Sequence, residues 1–434
     1  VRSRGLGDVY KRQGLIYRTS LIYCFNDAES LYYIDKDYNF YAFHIPTQKN
    51  EFIANLEKEI QTRGKVSSIV HYHDSFFVGF LMDGILLLEK QKNTSHYRIQ
   101  PLPVNSGVFC LKKDRFQDIV WIGTDGQGVY LYSNPLYSIK SVVLGNYTEK
   151  IERPVRALLQ DDERTFWVGT KGNGILKIYD YEVDKNLSDC RAEVLTTSNS
   201  ALGSNAVYCF ARSHRNLLWI GEEEGLTYYS YREKRIKRLP VRIGNEEFKY
   251  IHDIYETADS ELWLASVGMG VVRARIAGTP DNPLIVDAQR YIINDGELGS
   301  NYFFTIYAEN EANLLFGNKG YGVFRFNKTT NGLEPVSTHK YENMTLNNIL
   351  AISKDSSNNY LFGTSYGLIK YTSETSYQLF NAKNGFLNNT VHAILKNSPD
   401  NFWLSTNLGL INFDTKRNVF RSYGFSDGLK VVEF

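Results

Sequence analysis

The sequence lacks an excess of charge of either sign, and it lacks any long apolar run. Its 49 lysines and arginines are balanced by 48 aspartates and glutamates, which argues against broad nucleic-acid binding and against a polybasic membrane surface. No stretch approaches the roughly 18 consecutive apolar residues that a membrane helix requires. We therefore expect neither a nucleic-acid partner nor a membrane segment within this sequence.

Cysteine is also scarce, and its spacing is uninformative for metal binding. The four cysteines show no Cys-x-x-Cys pair, so structural zinc is not expected, and no other metal or cofactor is indicated. A chain of 434 residues does not need disulfides for stability. We expect Cys24, Cys110, Cys190 and Cys209 to be free, buried thiols that pack as small hydrophobic side chains.

Aromatic residues and glycine are abundant, and the aromatic residues recur in one motif. In this motif an aromatic residue lies among apolar residues and is followed by a small residue, as in Leu218-Trp219-Ile220-Gly221. All five tryptophans occupy the same position in it. The small residue falls at positions 79, 123, 169, 221, 265, 317, 363 and 405. A period of roughly 40 to 50 residues with strand-like composition predicts an all-β protein, a β-propeller of four-stranded blades.

A second periodic feature is a polar residue 16 positions before the small residue. It is asparagine at positions 205, 301, 347 and 389, and a cation at Arg153 and Lys249. Six repeats share this spacing, whereas the copies at 79 and 123 depart from it by about one residue. The departure predicts a change of propeller near residue 150.

The tryptophan motif followed by a glycine turn and an apolar–tyrosine pair resembles the two-component regulator propeller repeat. The best copies lie at 218–228 and 120–128, Ala265 and Ser405 depart from the pattern, and the resemblance extends over about residues 20–434. It implies the periplasmic sensor region of a hybrid two-component sensor histidine kinase of the Bacteroidetes type. In that family two seven-bladed propellers precede an immunoglobulin-like domain, a membrane helix and a kinase, and the full-length protein is expected to be a homodimer.

With this resemblance, the repeats predict about eight to nine blades that belong to parts of two seven-bladed propellers. Residues 1–13 are basic, share no pattern with the repeats and lack a signal-peptide core, so we expect a non-native leader there. Residues 14–149 are predicted to hold the last blades of the first propeller. Residues 150–434 are predicted to hold about six blades of the second, so we expect a piece of a longer protein.

The predicted ligand site lies around one mouth of the propeller channel. The segments leading into the first strands and the turns between the second and third strands share this face. Amides, cations and tyrosines there are suited to a small polar ligand such as an oligosaccharide. For the asparagines, capping of a local turn is the favoured interpretation and ligand contact the alternative. The candidate residues are Arg153, Asn205, Lys249, Asn301, Tyr302, Tyr321, Asn347, Tyr366 and Asn389.

Other polar groups carry weaker indications. His71 and His73 alternate on one strand beside Asp74, but no third metal ligand is identifiable, so a solvated strand face is expected. The run Glu222–Glu224 is predicted to be exposed charge in a turn. No acid is set apart from the others as a catalytic group, so no catalytic residue is assigned.

The sequence therefore favours a non-catalytic, periplasmic, ligand-sensing propeller region that responds to a glycan-derived or similar polar ligand. Two alternatives stay open. One is a propeller enzyme acting on polysaccharide, a lyase or a glycoside hydrolase, which requires acids, histidine or tyrosine at one channel mouth. The other is a protein-interaction scaffold, which requires a large apolar surface patch.

Overall fold

The computed structural model describes most of the chain between residues 21 and 429. The residues outside the description are 1–20, 28, 92–93, 95, 115–116, 134–150, 152, 163, 183–189, 294–300, 311, 337–346, 374, 387–388 and 430–434. The predicted leader at 1–13 and the predicted boundary between 149 and 150 lie outside the described residues. Within the described ranges, no helix has the length and apolar character needed to cross a membrane.

The chain divides into two compact units, Val1–Leu136 and Tyr137–Phe434. The described part of unit 1 contains two four-stranded sheets and one three-stranded sheet, all antiparallel, and one short helix, α1 (Glu57–Arg63). The first sheet comprises β1 (Leu21–Asn26), β2 (Ser30–Asp35), β3 (Asn39–His44) and β4 (Lys49–Asn55). The second comprises β5 (Val66–Tyr72), β6 (Ser75–Phe80), β7 (Ile85–Lys90) and β8 (Tyr97–Pro101). The third comprises β9 (Val108–Lys113), β10 (Ile119–Thr124) and β11 (Val129–Ser133).

Unit 2 contains six four-stranded antiparallel sheets in its described part, here called blades 1 to 6. Blade 1 comprises β12 (Val155–Gln160), β13 (Phe166–Thr170), β14 (Ile175–Ile178) and β15 (Ala192–Leu195). Blade 2 comprises β16 (Val207–Arg212), β17 (Leu217–Glu222), β18 (Gly225–Ser230) and β19 (Arg235–Arg238). A hairpin of β20 (Arg242–Ile243) and β21 (Glu246–Glu247) follows it. Blade 3 comprises β22 (Ile251–Glu256), β23 (Glu261–Ser266), β24 (Gly270–Thr279) and β25 (Asn282–Tyr291).

The remaining blades have the same strand order. Blade 4 comprises β26 (Phe303–Asn310), β27 (Asn313–Asn318), β28 (Gly322–Asn327) and β29 (Gly332–Pro335). Blade 5 comprises β30 (Ile349–Lys354), β31 (Tyr360–Thr364), β32 (Gly367–Ser373) and β33 (Ser376–Phe380). Blade 6 comprises β34 (Val391–Ser398), β35 (Asn401–Thr406), β36 (Gly409–Asp414) and β37 (Val419–Tyr423). Short 3₁₀ helices occur at Ala382–Asn384 and Phe425–Asp427. The eight four-stranded sheets in the described parts of the two units confirm the predicted four-stranded propeller blades.

The first strand of each blade in unit 2 packs against the first strand of the next blade. The first strands therefore form the inner edges of the sheets, as in a propeller. Apolar side chains of neighbouring blades interdigitate between the sheets and form the core. Trp167, Trp219 and Trp263 are fully buried in it, as the motif predicts, whereas Trp121 of unit 1 is 39% exposed.

The small residue of the motif marks the closest approach between consecutive blades. A Cβ built on Gly221 of blade 2 would lie 2.7 Å from the carbonyl oxygen of Ile251, on the first strand of blade 3, and would also overlap Cys209 Sγ. A Cβ built on Gly317 would likewise lie 3.0 Å from the carbonyl oxygen of Ile349, and a Cβ built on Gly363 would lie 2.9 Å from that of Val391. Glycine is required at these positions because the next blade's backbone occupies the space of a side chain.

The prediction that all four cysteines are buried is wrong for two of them. All four are free, but Cys24 and Cys110 are exposed, while Cys190 and Cys209 are buried. Cys24 lies on β1 and Cys110 on β9, and these strands belong to unit 1. Both are the first strands of their sheets, and both thiol side chains are open to solvent.

Candidate functional site

The predicted asparagines lie where each first strand begins, and three of their side chains have local backbone partners. The amide oxygen of Asn205 accepts a hydrogen bond from the backbone N–H of Thr197 at 2.9 Å. Asn301 accepts from Ile293 at 2.8 Å. Each of these asparagine side chains therefore binds backbone, but at a residue eight positions upstream and not within its own turn. The amide oxygen of Asn389 likewise accepts a hydrogen bond from the backbone N–H of Ala382, at 2.9 Å.

The backbone of the same asparagines joins consecutive blades. The carbonyl oxygen of Asn205, at the start of blade 2, accepts the N–H groups of Gly172 and Gly174 in a turn of blade 1, at 3.0 and 2.9 Å. Asn301 accepts two turn N–H groups of blade 3 in the same way, both at 3.1 Å. Asn347 accepts the N–H of Gly320 of blade 4 at 3.1 Å. These asparagines thus hold neighbouring blades together.

The two predicted cations differ in their surroundings. The ammonium group of Lys249 forms an ion pair with the carboxylate of Glu224, so its charge is compensated by the protein. Arg153 is exposed, and its backbone N–H donates to the side chain of Asn173 at 2.7 Å. Among the described residues, no carboxylate forms an ion pair with the Arg153 guanidinium. Of the two predicted cations, only Arg153 therefore lacks an ion-pair partner among the described residues. Its charge is the one that could meet a ligand, as the sequence predicted.

The three predicted tyrosines are half-buried. Tyr321 packs against the core that contains Trp263, and Tyr366 packs against the core that contains Phe362. Tyr302 bridges to Val267 through its backbone, and the ammonium group of Lys319 lies 5.5 Å from its ring centre. Tyr321 and Tyr366 therefore contribute to packing between blades, which leaves less of each ring available to a ligand.

The structure reveals a second set of residues that the sequence interpretation missed. Every first strand of unit 2 contains a β-bulge at the third residue after the asparagine position. The bulged residue has no partner on the second strand and lies on the innermost strand of its blade. Bulges redirect a side chain and are frequent next to functional sites. The bulge ring, as we call this set, consists of Arg156, Tyr208, His252, Phe304, Leu350 and His392.

Three members of the bulge ring form an aromatic ladder across blades 2, 3 and 4. The rings of Tyr208 and His252 are stacked, with their centres 4.3 Å apart and their planes 18° apart. Phe304 meets the imidazole edge-to-face at 5.9 Å. Because these contacts link three consecutive first strands, the ladder runs along the inner edge of the propeller. Its side chains are half-buried, so part of each is open to solvent.

The electrostatics of the ladder favour an uncharged imidazole. Burial, and secondly the nearby positive charge of Arg156, lower the pKa of His252 to about 4. At neutral pH the ring therefore offers one hydrogen-bond donor and one acceptor. Burial and the charge of Glu223 raise the pKa of the Tyr208 hydroxyl, which thus stays protonated and able to donate.

A half-buried carboxylate, Asp253, directly follows the ladder residue His252 in the chain. Asp253 Oδ2 accepts a hydrogen bond from the backbone N–H of Ile306 of blade 4 at 2.7 Å, and its Oδ1 accepts from Ile254 at 2.9 Å. Burial raises the pKa of Asp253 to about 6, despite these hydrogen bonds. The carboxylate therefore joins blades 3 and 4 immediately next to His252 in the chain.

The far side of the bulge ring is less aromatic. On blade 6, His392 Nε2 lies 2.5 Å from the side-chain oxygen of Asn407, which fixes the ring orientation. Leu350 of blade 5 is apolar and half-buried. The ring is thus asymmetric, with a cation and aromatic residues on blades 1 to 4.

The other polar groups raised by the sequence have structural roles. His71 Nδ1 lies 3.3 Å from Asp27 Oδ2 and His73 Nε2 lies 2.7 Å from Asp118 Oδ1, so the two histidines serve different neighbours. Among the residues that the structure describes, no group of three or more His, Cys, Asp or Glu side chains is arranged to hold a metal ion.

The prediction that Glu222–Glu224 is exposed charge is wrong for Glu222. Its side chain is buried, and it accepts hydrogen bonds from the backbone N–H groups of Gly203, at 2.9 Å, and Ser204. Burial raises its pKa, and the two backbone hydrogen bonds oppose this effect. Glu222 therefore caps the loop that leads into blade 2.

The fold is similar to solved structures at low sequence identity. It resembles extracellular domains assigned to two hybrid two-component systems of B. thetaiotaomicron. One shares 21% identity at a TM-score of 0.55 over 95% of this chain and 53% of that chain. The other shares 16% identity at a TM-score of 0.53 over 94% and 54%. The chain thus spans about half the length of these structures.

A third similar structure is a catalytically inactive form of virginiamycin B lyase from Staphylococcus aureus. It shares 14% identity at a TM-score of 0.50 over 66% of this chain and 87% of that chain. No family model matches the sequence, and no curated protein matches it. At these identities the similarities establish the fold alone. They confirm the β-propeller and agree with the repeat type that the sequence resembles.

Proposed function

We propose that this chain is an extracytoplasmic, non-catalytic sensor region that binds a glycan-derived or similar polar ligand. The similar domains of B. thetaiotaomicron are extracellular parts of two-component systems, which supports both the role and the location. The observation that carries the binding site is the bulge ring. On adjacent inner strands it has a guanidinium with no ion-pair partner among the described residues, a phenol and a neutral imidazole. Half-buried polar and aromatic groups that converge in this way are typical of ligand sites.

Signal transfer in this proposal uses the contacts between blades. The ladder joins blades 2, 3 and 4, and Asp253 also joins blades 3 and 4. A ligand held by the ladder contacts several blades at once and so favours one packing of the propeller over another. A change of packing, or of the arrangement of two copies in the full-length protein, then biases an attached kinase.

The test is direct binding by isothermal titration calorimetry of the full 434-residue chain against a panel of neutral and acidic oligosaccharides. We expect saturable binding to at least one of them, weakened about tenfold or more by Tyr208→Ala, because stacked aromatic contacts are lost. Tyr377→Ala is the matched control, since Tyr377 lies 39% exposed on β33 of blade 5. Binding that is insensitive to Tyr208→Ala would contradict the ring as the site.

The competing enzyme hypothesis is addressed by the same panel. Each oligosaccharide is incubated with the chain, and reducing ends and unsaturated products are measured. We expect no hydrolysis, because the bulge ring contains no pair of carboxylates. The tyrosine and histidines of the ring are groups that a lyase could use, so the assay for unsaturated products is the decisive one. Product formation that Tyr208→Ala or His252→Ala abolishes would replace the sensor proposal with a propeller enzyme.

A further inference from the structure

We infer that the bulge ring selects a sugar that carries an anionic group, with Arg156 as the residue that recognises the anion. The inference rests on the proposed function, since it names the class of ligand for the same site. It follows from the charges around the ladder, which the sequence pattern does not reveal.

Arg156 occupies the bulge of β12, the first strand of blade 1, and this strand packs against β16, which carries Tyr208 at the equivalent bulge. The charge of Arg156 also acts to lower the pKa of both Tyr208 and His252. Arg156 is exposed, and within the described ranges no carboxylate forms an ion pair with it. Arg153, three residues earlier in the same segment, is likewise unpaired among the described residues.

Other cations of these blades contrast with these two arginines. Lys249 pairs with Glu224, and Arg238 pairs with Glu247 at 3.2 Å. Arg212, at the other end of the first strand of blade 2, lies 2.6 Å from the carboxylate of Asp162. These three cations therefore have a protein carboxylate, whereas Arg153 and Arg156 have none among the described residues.

The acids near the ladder do not cancel this positive charge. Asp253 is half-buried and accepts hydrogen bonds from the backbone N–H groups of Ile306 and Ile254. Glu223 is close enough to Tyr208 for its charge to act on the hydroxyl, and it accepts a hydrogen bond from Ser204 Oγ at 3.0 Å. Among the described residues neither carboxylate forms an ion pair with Arg153 or Arg156, so both guanidinium groups remain open to a ligand anion.

The neighbouring groups favour a sugar over a simple anion. A guanidinium binds a carboxylate or sulfate through two parallel hydrogen bonds. The Tyr208 hydroxyl and the neutral His252 imidazole add a donor and an acceptor for sugar hydroxyls. Phe304 supplies apolar surface for the C–H face of the sugar ring. An inorganic anion would use only the arginines, whereas an anionic sugar uses the whole ladder.

The test compares ligands that differ only in charge. Oligomers of galacturonate, glucuronate and mannuronate are titrated into the full chain, each beside its methyl ester, together with sulfated disaccharides and inorganic sulfate. We expect at least one acidic form to bind about tenfold or more tightly than its uncharged partner, because a charged hydrogen bond is lost in the ester. The preference should weaken with added salt.

Variants separate the anion inference from the proposed function. Arg156→Gln should abolish the preference for the acidic form, and Arg156→Lys should restore only part of it, since the ammonium lacks the planar fork. Arg212→Gln is the matched control and should change nothing. Equal binding of acid and ester, or binding confined to neutral sugars, overturns the inference and leaves the proposed function intact. A panel in which no sugar binds, or in which sulfate binds as well as the sugars, overturns it too.

Discussion

The indole Nε1 of Trp219 donates a hydrogen bond to the buried carboxylate of Glu256, 2.8 Å away, across the junction between blades 2 and 3. The same carboxylate accepts the backbone N–H of His214 at 3.2 Å and lies 3.6 Å from the guanidinium of Arg215. A motif tryptophan of one blade is thereby anchored to the first strand of the next. Packing and hydrogen bonding between blades are coupled at this point.

Removal of the carboxylate should be strongly destabilising. Glu256→Ala leaves the Trp219 indole and the Arg215 guanidinium without their buried partner, so we expect a loss of about 2–4 kcal/mol in the free energy of unfolding. Urea denaturation followed by tryptophan fluorescence measures it. The control is Glu246→Ala, which removes an exposed ion pair with Arg290 and should cost under about 1 kcal/mol. Equal losses in the two variants would contradict the anchoring role.

Gly221 should not tolerate a methyl group. In Gly221→Ala the new Cβ would overlap Cys209 Sγ and approach the carbonyl oxygen of Ile251 to 2.7 Å, so blades 2 and 3 must separate. We expect a loss of about 1–3 kcal/mol in the free energy of unfolding. Gly424→Ala is the control, since nothing lies within 4 Å of its built Cβ. Thermal denaturation of the two variants measures the difference. A melting midpoint of Gly221→Ala equal to that of the wild type would refute the close approach.

Asp253 should make stability depend on pH with a defined sign. Its pKa is raised by burial from 3.8 to about 6, so the native protein holds a proton that the unfolded chain releases. Stability from this group is therefore present below about pH 4 and is lost as the pH rises to about 6. Asp253→Asn should gain stability relative to the wild type across this window, as measured by urea denaturation at several pH values. A stability difference that is constant between pH 4 and 7 would argue against the raised pKa.

His252 should remain uncharged well below neutral pH. Burial and the charge of Arg156 lower its pKa from 6.5 to about 4. As the pH drops from 6.5 to about 4, the unfolded chain therefore binds a proton before the native protein does, and the contribution of this group to the free energy of unfolding falls. Proton NMR of the imidazole, assigned with the His252→Gln variant, measures the pKa. In Arg156→Gln we expect the pKa to rise but to stay below 6.5, because burial remains. Titration of the wild-type ring near 6.5 would show that it is solvated.

The cysteines provide a simple check on the packing of both units. With a thiol reagent under native conditions, Cys24 and Cys110 should react, while Cys190 and Cys209 should react only after unfolding. Burial raises the pKa of the Cys209 thiol, which slows its reaction further. Mass spectrometry of labelled peptides identifies the sites. Rapid native labelling of Cys209 would show that blades 2 and 3 open readily.

Local sequence determined the repeat and therefore the fold. The tryptophan, the following small residue and the upstream asparagine are each required by contacts that recur in consecutive blades. Gly221 recurs because the next blade's backbone lies against it, and Asn205 recurs because its amide oxygen caps a turn while its carbonyl oxygen accepts N–H groups of the previous blade. Such contacts select the same residue type in most blades, so self-comparison of the sequence detects them.

Tertiary structure alone decided which side chains meet at the inner edge and which charges are paired. The bulge ring has a constant position, three residues after the asparagine, but its residue type changes from Arg156 to Tyr208 to His252, so no repeated letter marks it. Lys249 pairs with Glu224, 25 positions away, which leaves its charge unavailable to a ligand. Likewise Glu222 is buried although it opens an acidic run. These outcomes depend on the distances between neighbouring blades, and residue spacing within one repeat does not contain them.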